Sequence, residues 1–211
     1  MVSSPLWRGA RAYYLTRAGW FRYTVFMKNF HEMTVAGVTR KLPVCKVNDH
    51  VSIAAFIMFG DVEMTIACAK ELITRCPAFD VLLCPEAKGI PLTYEMSRQS
   101  GKPYYVARKT VKVYMPDPVA ASVKSITTLS VQHLYLDRAE LELMRGKKVL
   151  LIDDVISTGE TLAALETLLQ DSGAVVCGKA AVLAEGGAAD RGDIIYLEKL
   201  PLCMRKAMGE K

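Results

Sequence analysis

The sequence predicts a doubly wound α/β fold with a mainly parallel central sheet. Three observations carry this: short apolar runs at strand length, amphipathic helical stretches alternating with them from residue 47 onward, and a loop rich in small hydroxyl residues closing one such run. In chain order, residues 61–76 open on Asp61 and place Val62, Ile66, Ala69 and Ile73 three or four apart. Pro77 follows, so the stretch reads as a capped helix. Phe79 to Cys84 is a nearly continuous apolar run, as in a strand buried on both faces. A helix is expected from about Pro91 to Ser100, closed by Gly101, and a strand over Tyr104–Ala107. Val149 to Ile152 is a further strand, Thr161 to Asp171 a helix stopped at Gly173, and Ala174–Ala184 and Asp193–Leu197 are the last two strands. Between them, Pro116 to Asp137 is polar and β-branched, then alternates through Leu129, Val131 and His133. That pattern fits a two-stranded flap over a site.

Composition narrows the function. At 211 residues, 51% apolar and 23% charged, the chain can bury a core, which excludes disordered and collagen-like classes. Five of its 27 Lys and Arg, from Arg8 to Lys28, precede the first acid, Glu32, so the body is balanced. A nucleic-acid footprint would need bases gathered on a folded face, so no nucleic-acid partner is expected. No apolar run approaches the roughly 20 residues that cross a bilayer, so no membrane partner is expected either. The six cysteines show no CxxC pair and sit among apolar neighbours, which suggests reduced thiols and a cytoplasmic protein. Residues 1–29 read as a basic, aromatic N-terminal extension with Met27 as an alternative start. Residues 30–211 read as one domain: a small hood over about 30–60, a core over about 61–200 and the flap over about 116–137.

The chemistry concentrates in Val149-Leu-Leu-Ile-Asp153-Asp154-Val-Ile-Ser157-Thr158-Gly159-Glu160-Thr161. Two acids end an apolar strand, and a helix starts within the following loop. Backbone N–H groups of Ser157 to Thr161, with three hydroxyls and the helix dipole, can cradle a phosphate. Gly159 lets the backbone approach the oxyanion. Asp153 and Asp154 then lie one sugar length away, placed to accept from a ribose cis-diol and to help hold a divalent cation. Helix capping alone would require one such residue, not two acids and a five-residue loop.

This stretch resembles the signature of type I phosphoribosyltransferases, which bind 5-phosphoribosyl-1-pyrophosphate (PRPP). Pro85-Glu86-Ala87-Lys88-Gly89-Ile90-Pro91 is similar to that family's pyrophosphate loop, and Arg108-Lys109-x-x-Lys112 to the cationic run of adenine phosphoribosyltransferases and related purine enzymes. The resemblance spans about residues 43–185 and implies the following. Asp153, Asp154, Lys88 and Arg108 are the catalytic residues. Ser157, Thr158, Gly159, Glu160 and Thr161 hold the 5′-phosphate, with Glu160 where purine enzymes usually carry glycine. Glu86, Ala87, Lys88, Gly89, Arg108, Lys109 and Lys112 bind pyrophosphate. Mg²⁺ enters with PRPP and contacts Asp153 and Asp154 indirectly. The flap has Val131-Gln132-His133-Leu134-Tyr135 where adenine-type enzymes have a glutamate and a tyrosine, which makes His133 the flap candidate. The implied reaction joins a purine base, adenine favoured, to the ribosyl C1 and releases pyrophosphate, in a homodimer serving purine salvage. The alternative is a non-catalytic PRPP-sensing module, like the effector domain of a bacterial purine-repressor family.

Overall fold

The structure is a computed structural model and describes residues 29–46, 51–123 and 132–204. The N-terminal extension, apart from Asn29, and the flap tip at 124–131 lie outside the described residues. The first described elements form an antiparallel hairpin, β1 (Phe30–Val35) and β2 (Val38–Lys46). A two-residue turn joins them with positive φ at both Ala36 (48°) and Gly37 (79°), the handedness that matches strand twist. β3 (Val51–Ala54) pairs with β2, and the distant β11 (Leu202–Met204) closes this four-stranded sheet.

Helix α1 (Val62–Arg75) begins where expected, with the Asp61 carboxylate accepting from Met64 N at 3.2 Å. The same carboxylate ties the small sheet to the core. Arg40 of β2 donates Nε to Asp61 Oδ2 (2.7 Å) and Nη2 to Oδ1 (2.9 Å), and reaches Glu63 at 2.9 Å. Arg40→Ala is therefore expected to destabilise the protein by about 1–2 kcal/mol in urea unfolding, since a charge-assisted fork is lost from a half-buried joint.

The core sheet holds β4 (Val81–Pro85), β5 (Tyr104–Ala107), β8 (Lys148–Ile156), β9 (Val175–Glu185) and β10 (Ile195–Leu200), all parallel, in the order β10-β9-β8-β4-β5. Helix α2 (Ile90–Ser100), closed by Gly101 at φ 69°, connects β4 to β5, and α4 (Glu160–Leu169) connects β8 to β9. Between β5 and β8 the chain forms a second hairpin, β6 (Pro118–Val123) with β7 (Gln132–Asp137), and a short helix α3 (Arg138–Met144). The two strands expected within Pro116 to Asp137 are thus present as a hairpin.

Strand alternation divides the core. Leu82, Cys84, Leu150 and Ile152 face α1 and α2 (Met64, Cys68, Leu72, Leu92, Met96) together with Val35, Leu42, Phe56 and Met58 from the N-terminal region. Val81, Leu83, Val149 and Leu151 face α3, α4 and the hairpin (Met144, Leu162, Leu165, Leu134, Leu136). Because α2 and α4 lie on opposite faces, the order in which strands are added to the sheet reverses between β4 and β8. Ligands of open α/β sheets bind at such a switch point, outside the carboxyl ends of the strands.

Several boundaries differ from the sequence expectation: α4 stops at Leu169 rather than Asp171, and β10 runs Ile195–Leu200 rather than Asp193–Leu197. Phe79 and Asp80 precede β4: Asp80 spends its polar groups on Lys148, its N–H donating to Lys148 O and its carboxylate accepting from Lys148 N. The acids Asp153 and Asp154 do not end their strand. β8 continues to Ile156 because its other edge stays paired with β9, from Asp153 opposite Ala181 to Ile156 opposite Ala184.

Candidate active site

Pairing between β4 and β8 stops at Leu83 opposite Leu151, so the next residues of β8 have an open edge on that side. The loop after β4 fills it. A methyl group added to Gly89 would lie 3.4 Å from both Cα and Oδ1 of Asp153, which measures how closely this loop stacks on the acids. Lys88 extends from it and donates Nζ to Asp154 Oδ2 at 3.0 Å. The pair is lopsided: the Asp154 side chain is 1% exposed and that of Lys88 55%. Asp153 anchors the turn of chain by accepting from Asp154 N at 2.9 Å. Burial, and then the charge of Asp154, push the Asp153 carboxyl well above the ordinary carboxylate range. A half-buried acid beside a buried one, with a single cation bonded to Asp154, forms a site short of positive charge, suited to hydroxyl donors or a hard cation.

On the other side of β8's carboxyl end, Ser157 and Thr158 are exposed and Gly159, Glu160 and Thr161 are half-buried. Gly159 is the N-cap of α4 at φ 83°, with no side-chain cap, and the Thr158 hydroxyl accepts from Glu160 N at 3.4 Å. The first amides of a helix lack intrahelical partners and carry the positive dipole end, so this loop can take an anion. Gly159→Ala is expected to fail locally, since the new Cβ would strike the Arg191 guanidinium and the residue would be held at a left-handed φ. The expected cost is about 1–2 kcal/mol in thermal unfolding.

The remaining predicted residues divide. Ala87 and Gly89 lead into α2, and Gly89 O accepts from Thr93. Glu86 faces the neighbouring loop, its carboxylate accepting from Lys109 N at 2.9 Å. That contact docks the two cationic loops against each other. Arg108 is half-buried, its backbone bridged to Tyr135 of β7 by two 2.8 Å hydrogen bonds, so the hairpin is sewn to the end of β5. Lys109 is exposed and Lys112 donates to Thr110 Oγ1 at 2.7 Å, away from the acids' own contacts. His133 is exposed on β7, with Ser122 opposite it and Nδ1 3.4 Å from the Ser122 hydroxyl.

Two groups at this end of the sheet were absent from the sequence reading. Glu185 ends β9; burial pushes its carboxyl up, offset by the charge of Lys88. Arg191 follows the short 3₁₀ turn Gly186–Asp190 and reaches back to the 157–161 loop. A carboxylate ending a buried strand was a signal for the first; nothing local marks the second.

The geometry defines an α/β protein with two loops converging on paired acids at its switch point. The chain belongs to the phosphoribosyl transferase domain family, whose model matches residues 69–199. It is 33% identical over 112 residues to a HGPRTase-like protein of Halomicrobium mukohataei, covering 53% of this chain and 56% of that protein. It is 36% identical over 107 residues to a hypoxanthine/guanine phosphoribosyltransferase of Methanocella paludicola, covering 51% and 52%. The chain thus spans about half the length of these curated relatives. Among solved structures, the adenine phosphoribosyltransferase of Thermoanaerobacter pseudethanolicus superposes with a TM-score of 0.60 at 18% identity, covering 81% of this chain and 95% of that one. That of Leishmania tarentolae gives 0.58 at 21%, covering 82% and 84%. At these identities the likeness is one of fold.

Proposed function

We propose that the protein is a purine phosphoribosyltransferase of the cytoplasm: it transfers the 5-phosphoribosyl group of PRPP to a purine base, giving a nucleoside 5′-monophosphate and pyrophosphate. The observation that carries the reading is the meeting of two loops on Asp153 and Asp154 at the switch point. Lys88 stands 3.0 Å from Asp154, and the helix-start loop 157–161 opens on the other side. In this reading the loop holds the 5′-phosphate, the acids accept from the ribose hydroxyls, and Lys88 with Arg108 and Lys112 faces the diphosphate. Breaking the C1–O bond builds positive charge on the sugar and negative charge on the leaving group, so carboxylates near the ribose and cations at the diphosphate favour the transition state. No side chain forms a covalent intermediate. Remote binding of the 5′-phosphate orients C1 toward the base.

Among the described residues no three His, Cys, Asp or Glu converge on one point. Asp153 and Asp154 would help hold a Mg²⁺ brought in with the diphosphate. Such an ion would neutralise the leaving group. The thiols of Cys68, Cys76 and Cys84 are poor nucleophiles by contrast, burial pushing them up to about 12. The antiparallel sheet of β1, β2, β3 and β11 would serve as the hood over the base, and a second copy of the chain would complete a homodimer.

Adenine is the base favoured by the cationic-run resemblance, while the Methanocella paludicola relative is named for hypoxanthine and guanine. The test is pyrophosphate release from PRPP and Mg²⁺ with adenine, hypoxanthine, guanine and xanthine supplied separately. Release with one base names the substrate. Release with none, beside measurable PRPP binding, would replace this reading with the PRPP-sensing module.

A further inference from the structure

Arg191 has a fixed place that the reaction outlined above does not use. Its guanidinium is gripped from behind: Nε donates to Asp193 Oδ1 at 2.9 Å and Nη2 to Asp193 Oδ2 at 2.7 Å, the bidentate fork that only arginine makes with a carboxylate. Asp193 is held in turn by Lys179 at 3.0 Å, and Lys179 by Glu166 of α4 at 2.9 Å. The chain of charges therefore runs from the body of α4 through β9 to the β9–β10 connection. The one remaining terminal nitrogen, Nη1, points at the 157–161 loop, 3.4 Å from the carbonyl oxygen of Thr158. It also stands where a Cβ of residue 159 would be.

Two consequences follow from this placement. The guanidinium occupies the space under the left-handed turn at Gly159, where a side chain on residue 159 would lie. A positive charge, gripped by Asp193, is also held beside the loop that would receive the phosphate. An ordinary surface ion pair would need neither feature.

We propose that Arg191 is the positioning residue of the phosphate loop: through Thr158 and Gly159 it presets the backbone that receives the 5′-phosphate of PRPP. The inference rests on the phosphoribosyl reading above. Its role is in binding, before chemistry, so its removal falls on the affinity for the phosphorylated sugar and leaves the turnover of bound substrate.

The test compares Arg191→Ala and Arg191→Lys with the wild-type full chain. Three quantities are measured: KM for PRPP, KM for the base and kcat, alongside the Kd of ribose 5-phosphate by calorimetry. Arg191→Ala is expected to raise both the KM for PRPP and the Kd of ribose 5-phosphate by about tenfold, the scale of one charge-assisted contact. The KM for the base stays unchanged and kcat stays within about twofold. Arg191→Lys recovers part of the loss, since it keeps the charge without the fork. A variant that loses only thermal stability, with PRPP and ribose 5-phosphate affinities unchanged, overturns the proposal. So does an equal fall in affinity for base and PRPP. If the wild-type protein shows no base-dependent turnover, the phosphoribosyl reading fails by itself. Ribose 5-phosphate affinity then decides Arg191 alone, an unchanged Kd overturning the role and a tenfold rise upholding it.

Discussion

Replacing Asp153 and Asp154 together by Asn is expected to lower turnover by at least about 10³-fold while leaving the protein folded. The two halves of that expectation have separate grounds. The fold survives because the strand is held by its backbone ladder to β9 rather than by the carboxylates. The side-chain oxygen of an asparagine at position 153 can also still accept from the amide of residue 154, as Asp153 does at 2.9 Å. Lys88, released from Asp154, is more than half exposed and returns to water at little cost. Turnover falls because two carboxyl groups are removed from the place where the sugar becomes positive, and a divalent cation arriving with PRPP would lose the groups that help hold it. Circular dichroism and the thermal midpoint check the first half; the rate of pyrophosphate release checks the second. A double variant with a wild-type rate would remove the ribose site from these residues.

The opposite deletion is expected to behave differently. Lys88→Ala leaves Asp154 buried, 1% exposed, without the cation that now lies 3.0 Å away. Stripping one partner from a buried charge is costly even though the surviving pair contributed little. Water reaching the vacated lysine path softens this, and a stability loss of about 2 kcal/mol is expected in denaturant unfolding. In the proposed reaction the same change removes a cation from the leaving pyrophosphate, for a further fall in kcat of about 10²–10³-fold. The signature is the asymmetry: Lys88→Ala loses stability and rate, whereas the paired Asn substitutions lose rate alone. Equal stability losses in the two variants would mean that the Lys88–Asp154 pair is solvated and structurally idle.

Much of the fold was legible because burial on both faces leaves a simple trace. Tyr104–Ala107 and the helices ending at Ser100 and Arg75 were placed within a residue, where Gly101 and Pro77 punctuate them. The acids misled for a physical reason. A carboxylate reads as the end of an apolar strand, yet Asp153 and Asp154 remain in the ladder because backbone pairing with β9 is indifferent to side chains. Helix α3 escaped notice although its signal was present: Asp137 and Glu140 form a reciprocal capping box, but only seven residues follow it. Strand β11 is three residues long and pairs with β3, about 150 positions earlier, which no local pattern announces.

The site divides along the same line. Lys88, Gly89, Asp153, Asp154 and the 157–161 loop were readable because each motif is contiguous and lies at a strand end. Their convergence follows from the reversal between β4 and β8. Glu86 carried the expected position but its carboxylate is engaged with Lys109 N, a contact between loops 23 residues apart. Arg191 was invisible, because its partner Thr158 is 33 residues away and its own neighbourhood reads as an ordinary charged turn.

The central claim is that one site holds the sugar phosphate, releases the diphosphate and joins the base to C1. It is tested most directly by measuring nucleoside 5′-monophosphate and pyrophosphate in the same reaction, with PRPP, Mg²⁺ and the preferred base. Equal molar amounts of both products are expected, and neither product when the base is omitted. Pyrophosphate released at the same rate without base, or PRPP bound and returned unchanged with every purine, would contradict it.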